Sequence, residues 1–535
     1  MPSLSPEVLA ALMAGGAPHA LLDVRERGAY ERGHIFRATS LPRRLLEIRL
    51  PVLVSAHRTP LVVCDGDGRL AELCRPALAE MGYTDVRVLA GGLAAWRAAG
   101  RPTVEGLNVP SKVFGERVLR ERRTTQIAPR ELQARIAEGA DLVIVDARTP
   151  QEYARGCVPG AISVPGGELA LRIGELVQRP ETTIVVHCGG RTRSYIGTES
   201  LRRLGLPNPV LALENGTMGW ELAGLALERG ASRRAPAVSA EGRDAATRTG
   251  ERVAAEDGVT MLSAEALGAL WARRDLVNVC LLDVRTAEEY AEGHLPGAVW
   301  APGGQVVQAT DEYVAVHAAS IVLVCDGLVR SVMTAAWLTR MGFPSVAALA
   351  GGVPAWERGG GAVERGHPRL LPPGYDALRA SVPAVPPAGL EDGAILNVDP
   401  SDVYARDHVP GAVWVCRSRL EIVIPQVIPD RRRAIVVTCA DGVQSTLAAA
   451  TLLRLGYAGA GVLAGGTRAW LGAGLPGESG LVGLLDEPDD VVLKPYEKGR
   501  AAMEAYLRWE EALDSEGRSP HELIPHPVRD SRARP

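Results

Sequence analysis

The chain lacks several patterns that mark common functional classes. Its 535 residues include eight cysteines but no C-x-x-C pair, which argues against both a zinc framework and a disulfide scaffold. It carries no strong basic cluster and its net charge is −4, so we expect no nucleic-acid partner. No apolar run approaches the length of a membrane span, and Met1–Pro6 lacks the features of a secretion signal. We therefore expect a cytoplasmic protein with no membrane partner.

What the chain does contain is a pattern that occurs four times. In each copy a short apolar run leads to a cysteine that opens a turn rich in glycine, and the best-formed copy is His187–Ser194. The four turn cysteines are Cys64, Cys188, Cys325 and Cys439. A strand-end signature, counted from its third residue, precedes each cysteine by 41 or 42 residues: Leu21–Arg25, Ile144–Arg148, Leu281–Arg285 and the eroded Ile395–Asp399.

Other signatures keep their distance from the cysteines as well. A tyrosine and a Pro-Gly-Ala turn lie between the strand end and the cysteine in the last three copies, at Tyr153, Tyr290 and Tyr404. A Gly-Gly or Asn-Gly pair leads to a tryptophan 31 or 32 residues after each cysteine, at Trp96, Trp220, Trp356 and Trp470. Because these spacings are nearly constant, whole domains are repeated and not only short loops.

Together these signatures resemble a run of four rhodanese domains, the family of single-cysteine sulfurtransferases. The resemblance implies an α/β fold in which each domain is an open, mostly parallel sheet with helices on both faces. The alternation of short apolar strands with helical stretches fits the same fold. We expect four tandem rhodanese-like domains, of which the fourth is degenerate, and a C-terminal helical tail, at residues 1–106, 120–230, 256–366, 376–478 and 479–535.

The segments between and after the domains carry expectations about their arrangement. The short linker Glu105–Arg123 suggests that neighbouring domains pair, whereas the longer linker Arg229–Gly258 would leave some freedom between two packed pairs. The tail includes an amphipathic segment, Tyr496–Leu513, which we predict to be a helix docked on the last domain.

The position of the turn predicts an ionised cysteine. Each turn cysteine follows a strand and precedes a helix, where unpaired backbone N–H groups and the helix dipole favour negative charge on sulfur. Cys188 is flanked by Arg191 and Arg193 and by no acid within its loop, so it should ionise most readily. We therefore predict that Cys188 is the principal catalytic residue.

The other turn cysteines are weaker candidates. Cys325 keeps Arg330 and a serine but has an aspartate in its turn, while Cys64 keeps Arg69 but has two aspartates. We predict that both are catalytic at a lower level, because acids near a thiol oppose its ionisation. Cys439 has lost the arginine of its loop, so we predict a structural or relay role for it.

The residues and the resemblance point to the same reaction. The Cys188 thiolate would attack the outer sulfur of thiosulfate or of a persulfide, and the resulting cysteine persulfide would pass its sulfur to cyanide, a small thiol or a protein acceptor. No metal and no organic cofactor is expected. The residues predicted to bind the donor and the transferred sulfur are Gly189, Gly190, Arg191, Thr192, Arg193, Ser194, Arg330 and Arg69.

Other interpretations stay open. A phosphatase of the related cysteine-loop kind would use a similar turn, although Cys188 and Arg193 enclose four residues where the phosphatase pattern encloses five. Some copies could be scaffold, or could carry persulfide for a partner. Cys157 replaces a histidine of the other copies, and a disulfide with Cys188 is a further alternative. The Asp-x-Arg strand ends and the repeated tryptophans are interpreted as scaffold.

Overall fold

The structure is a computed structural model that describes residues 3–387, 390 and 393–514. These residues form four five-stranded sheets, one in each repeat, in which all paired strands are parallel. Within each sheet the strands lie in the order first, fifth, fourth, second, third. The strands are β1 (Ser3–Leu4), β2 (Ala20–Asp23), β3 (Thr39–Ser40), β4 (Leu61–Cys64), β5 (Val86–Leu89), β6 (Gln126–Ile127), β7 (Leu142–Asp146), β8 (Ile162–Ser163), β9 (Thr183–His187), β10 (Val210–Leu213), β11 (Thr260–Leu262), β12 (Val279–Asp283), β13 (Val299–Trp300), β14 (Ser320–Val324), β15 (Val346–Leu349), β16 (Ala384–Val385), β17 (Ala394–Asn397), β18 (Val413–Trp414), β19 (Ile435–Thr438) and β20 (Ala460–Leu463).

Helices cover both faces of each sheet because the central strands are apolar on both sides. In the second sheet Val185 packs with Tyr153 and Trp220 on one face, whereas Ile184 and Val186 belong to a separate core on the other. No helix in the described part of the chain is both long enough and apolar enough to span a membrane. The helices are α1 (Pro6–Ala14), α2 (Arg27–Glu31), α3 (Leu46–Leu53), α4 (Arg69–Glu80), α5 (Gly92–Ala98), α6 (Val109–Arg122), α7 (Pro129–Ala137), α8 (Pro150–Arg155), α9 (Leu169–Arg172), α10 (Thr192–Arg202), α11 (Gly216–Leu222), α12 (Ala240–Asp257), α13 (Ala264–Trp271), α14 (Ala287–Glu292), α15 (Gly303–Gln308), α16 (Thr310–Tyr313), α17 (Leu328–Arg340), α18 (Gly352–Arg358), α19 (Tyr375–Ser381), α20 (Ser401–Arg406), α21 (Leu420–Val427), α22 (Val443–Arg454), α23 (Gly466–Gly472) and α24 (Arg500–Ala512).

The Asp-x-Arg strand ends act as scaffold, as predicted. The Arg148 guanidinium binds the Asp146 carboxylate at 2.7 Å and also donates to the Gly156 carbonyl at 2.5 Å. The first and third repeats form the same pair, and each arginine there donates to the equivalent carbonyl. This charge-assisted contact ties the end of the second strand to the turn that leads into the third strand.

The second and third domains pack against each other through glycines. Gly166–Gly167 and Gly303–Gly304 meet backbone to backbone, and a side chain at Gly167 would lie 2.9 Å from the Gly304 nitrogen. The two glycine pairs occupy the same position in their repeats, 20 and 21 residues after the strand-end aspartate. Equivalent surfaces therefore meet, and the two domains are related by an approximate twofold axis.

The first and fourth domains form a second pair through the equivalent surfaces. Arg43 binds Glu421, and in the opposite direction Arg417 Nη2 lies 2.7 Å from Glu47 Oε2. These charged side chains are largely buried, so each needs its partner to offset its lost hydration. The expectation that neighbours in sequence pair with each other is therefore wrong: the second domain pairs with the third, and the first with the fourth.

The linkers between domains include packed helices. α6 lies in the linker between the first and second domains and packs on α10, and α12 lies in the linker between the second and third and packs along α17. Val253 and Ala254 of α12 are buried in the core of the third domain. The freedom expected at Arg229–Gly258 is not found, because this helix buries one face against the third domain.

The last helix also lies elsewhere than predicted. α24 docks on the second domain and not on the last one, with Met503 and Leu507 packed against Met218 of α11. The tail reaches the second domain by crossing the first, where the Asp489 carbonyl accepts from the Gly28 amide at 2.7 Å. The amphipathic pattern predicted the helix correctly, but such a pattern identifies an apolar face without identifying the surface that covers it.

A carboxylic acid is buried where the first and third domains meet α6. Asp311 belongs to α16 and lines a cavity of about 70 Å³ between these elements. Burial and the neighbouring Glu312 raise the pKa of Asp311 to about 7, against the opposing charges of Arg27 and Lys112. The folded chain therefore holds a proton on Asp311 that the unfolded chain releases near its ordinary value of 3.8.

This raised pKa gives folding a pH dependence. The stabilising contribution of Asp311 is present in full below pH 3.8 and is lost as the pH rises through about 7. We predict that Asp311→Asn is more stable than the wild type at pH 8 and that the difference shrinks toward pH 5. Thermal unfolding at the two pH values measures this, and a difference that does not change with pH would contradict the raised pKa.

The glycine contact between the second and third domains predicts a position-specific cost. Gly167→Ala should lower stability by about 1–3 kcal/mol, because the added carbon forces two backbones apart. Gly174→Ala is the matched control, since Gly174 is exposed and has no atom within 4 Å of an added carbon. Equal melting temperatures for the two variants would show that the interface accepts a side chain.

Candidate active site

The cysteine turn of the second domain lies at the edge where the parallel strands end. β9 ends at His187, Cys188 follows it, and α10 begins at Thr192. Ligands of open parallel sheets bind beyond the carboxyl ends of the strands, so the turn stands in the usual place for a site. Cys188 is only 2% exposed. A substrate must therefore approach the thiol through a narrow opening.

The loop after Cys188 is oriented by its own carbonyl groups. The Cys188 carbonyl accepts from the Thr217 amide at 2.8 Å, and the Gly189 carbonyl accepts from the Met218 amide at 3.1 Å. In a trans peptide the N–H points opposite to the carbonyl, so the amides of Gly189 and Gly190 face away from α11. They point toward the interior of the loop, where successive N–H groups can bind an anion.

A glycine of the repeated Gly-Gly-x₃-Trp signature makes this contact possible. Gly216 has φ +55°, and a side chain there would lie 2.3 Å from the Cys188 carbonyl oxygen. Gly352 and Gly466 have a similar φ and the same neighbour, the carbonyl of the turn cysteine in their own repeats. The signature is thus explained by the close approach of one helix to the cysteine loop, which only glycine permits.

The Cys188 sulfur accepts a hydrogen bond from a side chain. The Ser194 hydroxyl donates to it at 3.1 Å, and no other hydrogen bond to this sulfur is formed by the residues that the structure describes. The expected ring of several N–H donors does not close on the bare thiol, because the loop amides point into the loop and do not reach the sulfur. Ser194 is the predicted site residue that contacts it.

The two arginines of the loop behave differently. Arg193 makes two hydrogen bonds of 2.8 Å to Glu152 and lies 4.0 Å from the position that a side chain on Gly189 would take. Burial opposes ionisation of Glu152, but the charge of Arg193 prevails and lowers the pKa of that carboxyl. Arg191 instead binds Glu116 of α6 at 2.7 Å. Arg193 therefore stays beside the loop interior, whereas Arg191 turns away from it.

The remaining predicted residues of this loop face the C-terminal helix. The Thr192 hydroxyl donates to Glu510 at 2.7 Å. A side chain on Gly190 would lie 2.9 Å from the Met218 methyl carbon and 3.6 Å from a ring carbon of Tyr506. The structure thus brings these residues together as one loop, and it places α24 over part of that loop.

The third domain repeats the arrangement with more acid. The Cys325 sulfur donates to the Ser331 hydroxyl at 3.2 Å and also contacts the Gly327 carbonyl. Arg330 is buried and binds three carboxylates, those of Glu168, Glu289 and Asp326. Burial raises the pKa of the Cys325 thiol, although Arg330 opposes this.

The first domain fills its own loop with a carboxylate. Asp65 accepts from the amides of Leu70 at 2.7 Å and Ala71 at 3.3 Å, and also from the Gly68 amide. Burial and nearby acids raise the pKa of the Cys64 thiol well above its usual value. Arg69, predicted to bind substrate, is 84% exposed and bonds to Asp67 at 3.2 Å. It therefore does not accompany Cys64.

The fourth domain shows the same occupation by acids. Asp399 accepts from the Ala440 amide at 2.7 Å, and burial together with this carboxylate raises the pKa of the Cys439 thiol. The Ser445 hydroxyl and amide each lie 3.3 Å from the Cys439 sulfur. Gln444, which replaces the loop arginine, binds Arg417 at the interface with the first domain.

Sequence reasoning missed the partner of the loop arginine. Glu152 precedes Arg193 by 41 residues, and Glu289 precedes Arg330 by the same distance. The first repeat has Ala29 at that position, which is why Arg69 finds no carboxylate there. This shared spacing was the signal. Lys112 and the residues of α24 gave no such signal, since they lie outside the repeats.

The cysteines away from the turns are buried thiols. All eight cysteines are free, and no disulfide joins Cys157 to Cys188. Cys157 is buried, its backbone pairs with Glu228, and burial raises the pKa of its thiol to about 11. A buried thiol that is this hard to ionise is typical of a packing residue.

The chain is similar to known proteins along nearly its whole length. A thiosulfate sulfurtransferase from Pseudomonas aeruginosa is 39% identical, with a TM-score of 0.90 that covers 98% of this chain and 99% of that chain. A sulfurtransferase of Allochromatium vinosum is 32% identical over 100 residues, which are 19% of this chain and 91% of that protein. A thiosulfate sulfurtransferase of Azotobacter vinelandii is 30% identical over 148 residues, which are 24% of this chain and 54% of that protein.

The family description "Rhodanese-like domain" matches this chain four times. The matched segments are residues 5–99, 128–223, 264–358 and 387–473, and each contains one of the four cysteine turns. With these matches and the four parallel sheets, the chain belongs to the rhodanese family.

Proposed function

We propose that this chain is a sulfurtransferase that moves a sulfane sulfur from thiosulfate or a small persulfide to cyanide or a thiol, through a persulfide on Cys188. One observation carries the proposal. Among the four cysteine loops in the described residues, the second is the one in which no carboxylate accepts a hydrogen bond from a loop amide. Its amides stay available for an anionic sulfur. The names of the similar proteins support the same reaction class.

The first half-reaction is a displacement at sulfur. The Cys188 thiolate attacks the outer sulfur of thiosulfate, a bond forms between Sγ and that sulfur, and sulfite leaves with the electron pair of the broken S–S bond. The amides of Gly189 and Gly190 then stabilise the negative charge on the terminal sulfur, as an oxyanion hole stabilises oxygen. In the second half-reaction the acceptor attacks the terminal sulfur and regenerates the Cys188 thiolate.

Two arginines flank the path of the donor. The Arg148 side chain passes 3.8 Å from the position that a side chain on Gly189 would take, and Arg193 lies at 4.0 Å from the same point. Their positive charge favours the anionic donor and the developing charge on sulfite. Glu152 and Asp146 hold the two guanidinium groups in place.

The other three cysteines contribute less to this function. Cys325 keeps an arginine, but that arginine is shared among three carboxylates, so we assign Cys325 a slower second site. Asp65 occupies the amides beside Cys64, and Asp399 occupies an amide beside Cys439. We assign both of these loops structural roles, which withdraws the earlier catalytic expectation for Cys64.

Exchanging the cysteines tests this assignment. Cys188→Ser should lower thiosulfate:cyanide activity by roughly 100-fold or more, because a hydroxyl at neutral pH is a far weaker nucleophile than a thiolate. Cys439→Ser is the matched control and should leave activity within about twofold. Intact-mass analysis with peptide mapping after exposure to thiosulfate should show a gain of about 32 Da, one sulfur atom, on Cys188.

Two results would contradict the assignment. Equal losses from Cys188→Ser and Cys439→Ser would mean that loop charge does not decide which cysteine works. Hydrolysis of a phosphotyrosine analogue that depends on Cys188, with no thiosulfate activity and no gain in mass, would favour the phosphatase alternative.

The first loop can be tested through its aspartate. Asp65→Ala should lower the free energy of unfolding by about 1–2 kcal/mol, because the amides at the start of α4 lose their acceptor. Thiosulfate activity should stay within about twofold, since Cys64 carries no sulfur in this proposal. Thermal unfolding and the activity assay measure the two effects, and a large change in activity without loss of stability would restore Cys64 as a catalytic residue.

A further inference from the structure

The segment that follows the fourth domain covers part of the Cys188 loop. We call residues 494–513 the strap; it includes α24. Met503 and Leu507 pack on Met218 beside the loop, and the Trp509 ring lies over Gly106, with a ring carbon 2.5 Å from where a side chain there would begin. The strap is thus fixed at two separate places on the folded chain.

Side chains of the strap bind the loop directly. Glu510 accepts from the Thr192 hydroxyl at 2.7 Å, and Glu511 accepts from Arg191 at 2.7 Å. These two loop residues were expected to bind substrate, yet both are engaged by the strap. The outer side of the loop is therefore occupied by protein and not by a ligand.

Tyr506 is the strap residue nearest to the reacting sulfur. Its ring passes 3.6 Å from the position of a side chain on Gly190, and its hydroxyl accepts from the Lys112 ammonium. Burial, Glu510 and Cys188 raise the pKa of Tyr506 well above its usual value, so its phenol stays neutral beside the thiol. A neutral ring held on both sides forms a firm boundary to the space above the loop.

Positive charge gathers around the same space. Lys494, where the strap begins, interacts electrostatically with Arg193, Lys112 and Glu152. Glu152 and Glu510 offset part of this charge through their contacts with Arg193 and Lys112. A small anion gains from such an opening, because several cations act on it at short range. A bulky donor gains the same attraction but must pass Tyr506.

We propose that the strap forms a wall of the Cys188 site, with Tyr506 as the specificity-determining residue, that admits a small dianionic donor such as thiosulfate and excludes sulfur carried on a peptide or protein. This inference deepens the proposed function and rests on it, since donor selection requires that Cys188 takes up sulfur. The 2% exposure of Cys188 and the contact of the strap with Gly190 carry the proposal together.

Substitution of Tyr506 in the full-length chain tests the wall. The probes are thiosulfate as the small donor and glutathione persulfide as the bulky one, and the readout is the ratio of their kcat/KM values. Tyr506→Ala should shift the ratio by about fivefold or more toward glutathione persulfide, because the ring no longer bars the path. Tyr506→Phe keeps the ring and should leave the ratio within about twofold.

A control on the same helix separates the wall from general loosening of the strap. Glu511→Gln removes the ion pair with Arg191 but leaves Tyr506 in place, so the donor ratio should not change. An unchanged ratio in a folded Tyr506→Ala protein would overturn the proposal. So would an equal shift in Glu511→Gln, which would show that the strap acts through its hold on the loop and not through the ring.

Alkylation of the wild type keeps the proposal testable if Tyr506→Ala does not fold. Iodoacetamide should label Cys188 at least about tenfold faster than a polyethylene glycol maleimide does, after each rate is corrected for that of the urea-unfolded chain. Equal corrected rates would overturn the wall. Labelling does not require sulfur transfer, so a chain that labels selectively but gains no sulfur would refute the proposed function and leave the wall standing.

Discussion

The structure of each cysteine site depends on the close approach of one short helix to the turn that carries the thiol. The amides that begin α11 hold the carbonyls of Cys188 and Gly189, and this fixes which way the following peptide groups point. Gly216 must lack a side chain and adopt a positive φ for the two segments to meet. The anion-binding property of the loop is therefore a consequence of how its carbonyls are used elsewhere, and it is present before any substrate arrives.

What differs between the repeats is the group that occupies this prepared space. In the first domain the Asp65 carboxylate accepts the loop amides, so the loop is satisfied by its own side chain and the neighbouring thiol is left in an acidic, buried setting. The fourth domain uses Asp399 in a similar way. A backbone that binds anions does not distinguish a carboxylate from an anionic sulfur, and a carboxylate supplied by the chain itself is always present. One acidic residue is thus enough to convert a reactive loop into a structural one.

The sequence predicted the repeated parts well, because the fold of each repeat is specified by local patterns that recur at constant spacing. The four parallel sheets and the position of the turn cysteines follow from short apolar strands and from the signatures around Cys188. The charge argument also singled out the second loop correctly as the one free of acids. It failed for Arg191 and Arg69, since proximity in sequence does not determine where a long side chain points: Arg191 finds Glu116, and Arg69 finds only Asp67. The pairing of domains was not predictable either, because Gly167 and Glu421 meet surfaces that are distant in sequence and carry no periodic signal.

The segments outside the repeats explain why the second domain differs from its copies in more than its loop. α6 packs on α10 through Gly115, where a side chain would lie 2.9 Å from Thr192, and it brings Lys112 to the site. The strap comes from the other end of the chain and meets Lys112 through Tyr506 and Glu510. Neither segment belongs to the repeated sheet, so a single rhodanese-like domain would lack both. The route of the tail past the first domain, held by Asp489 against Gly28, therefore links the pairing of the first and fourth domains to the shape of the site on the second. In this arrangement the degenerate fourth domain has a physical reason to persist: it carries no sulfur itself, but it anchors the segment that shapes the site around Cys188.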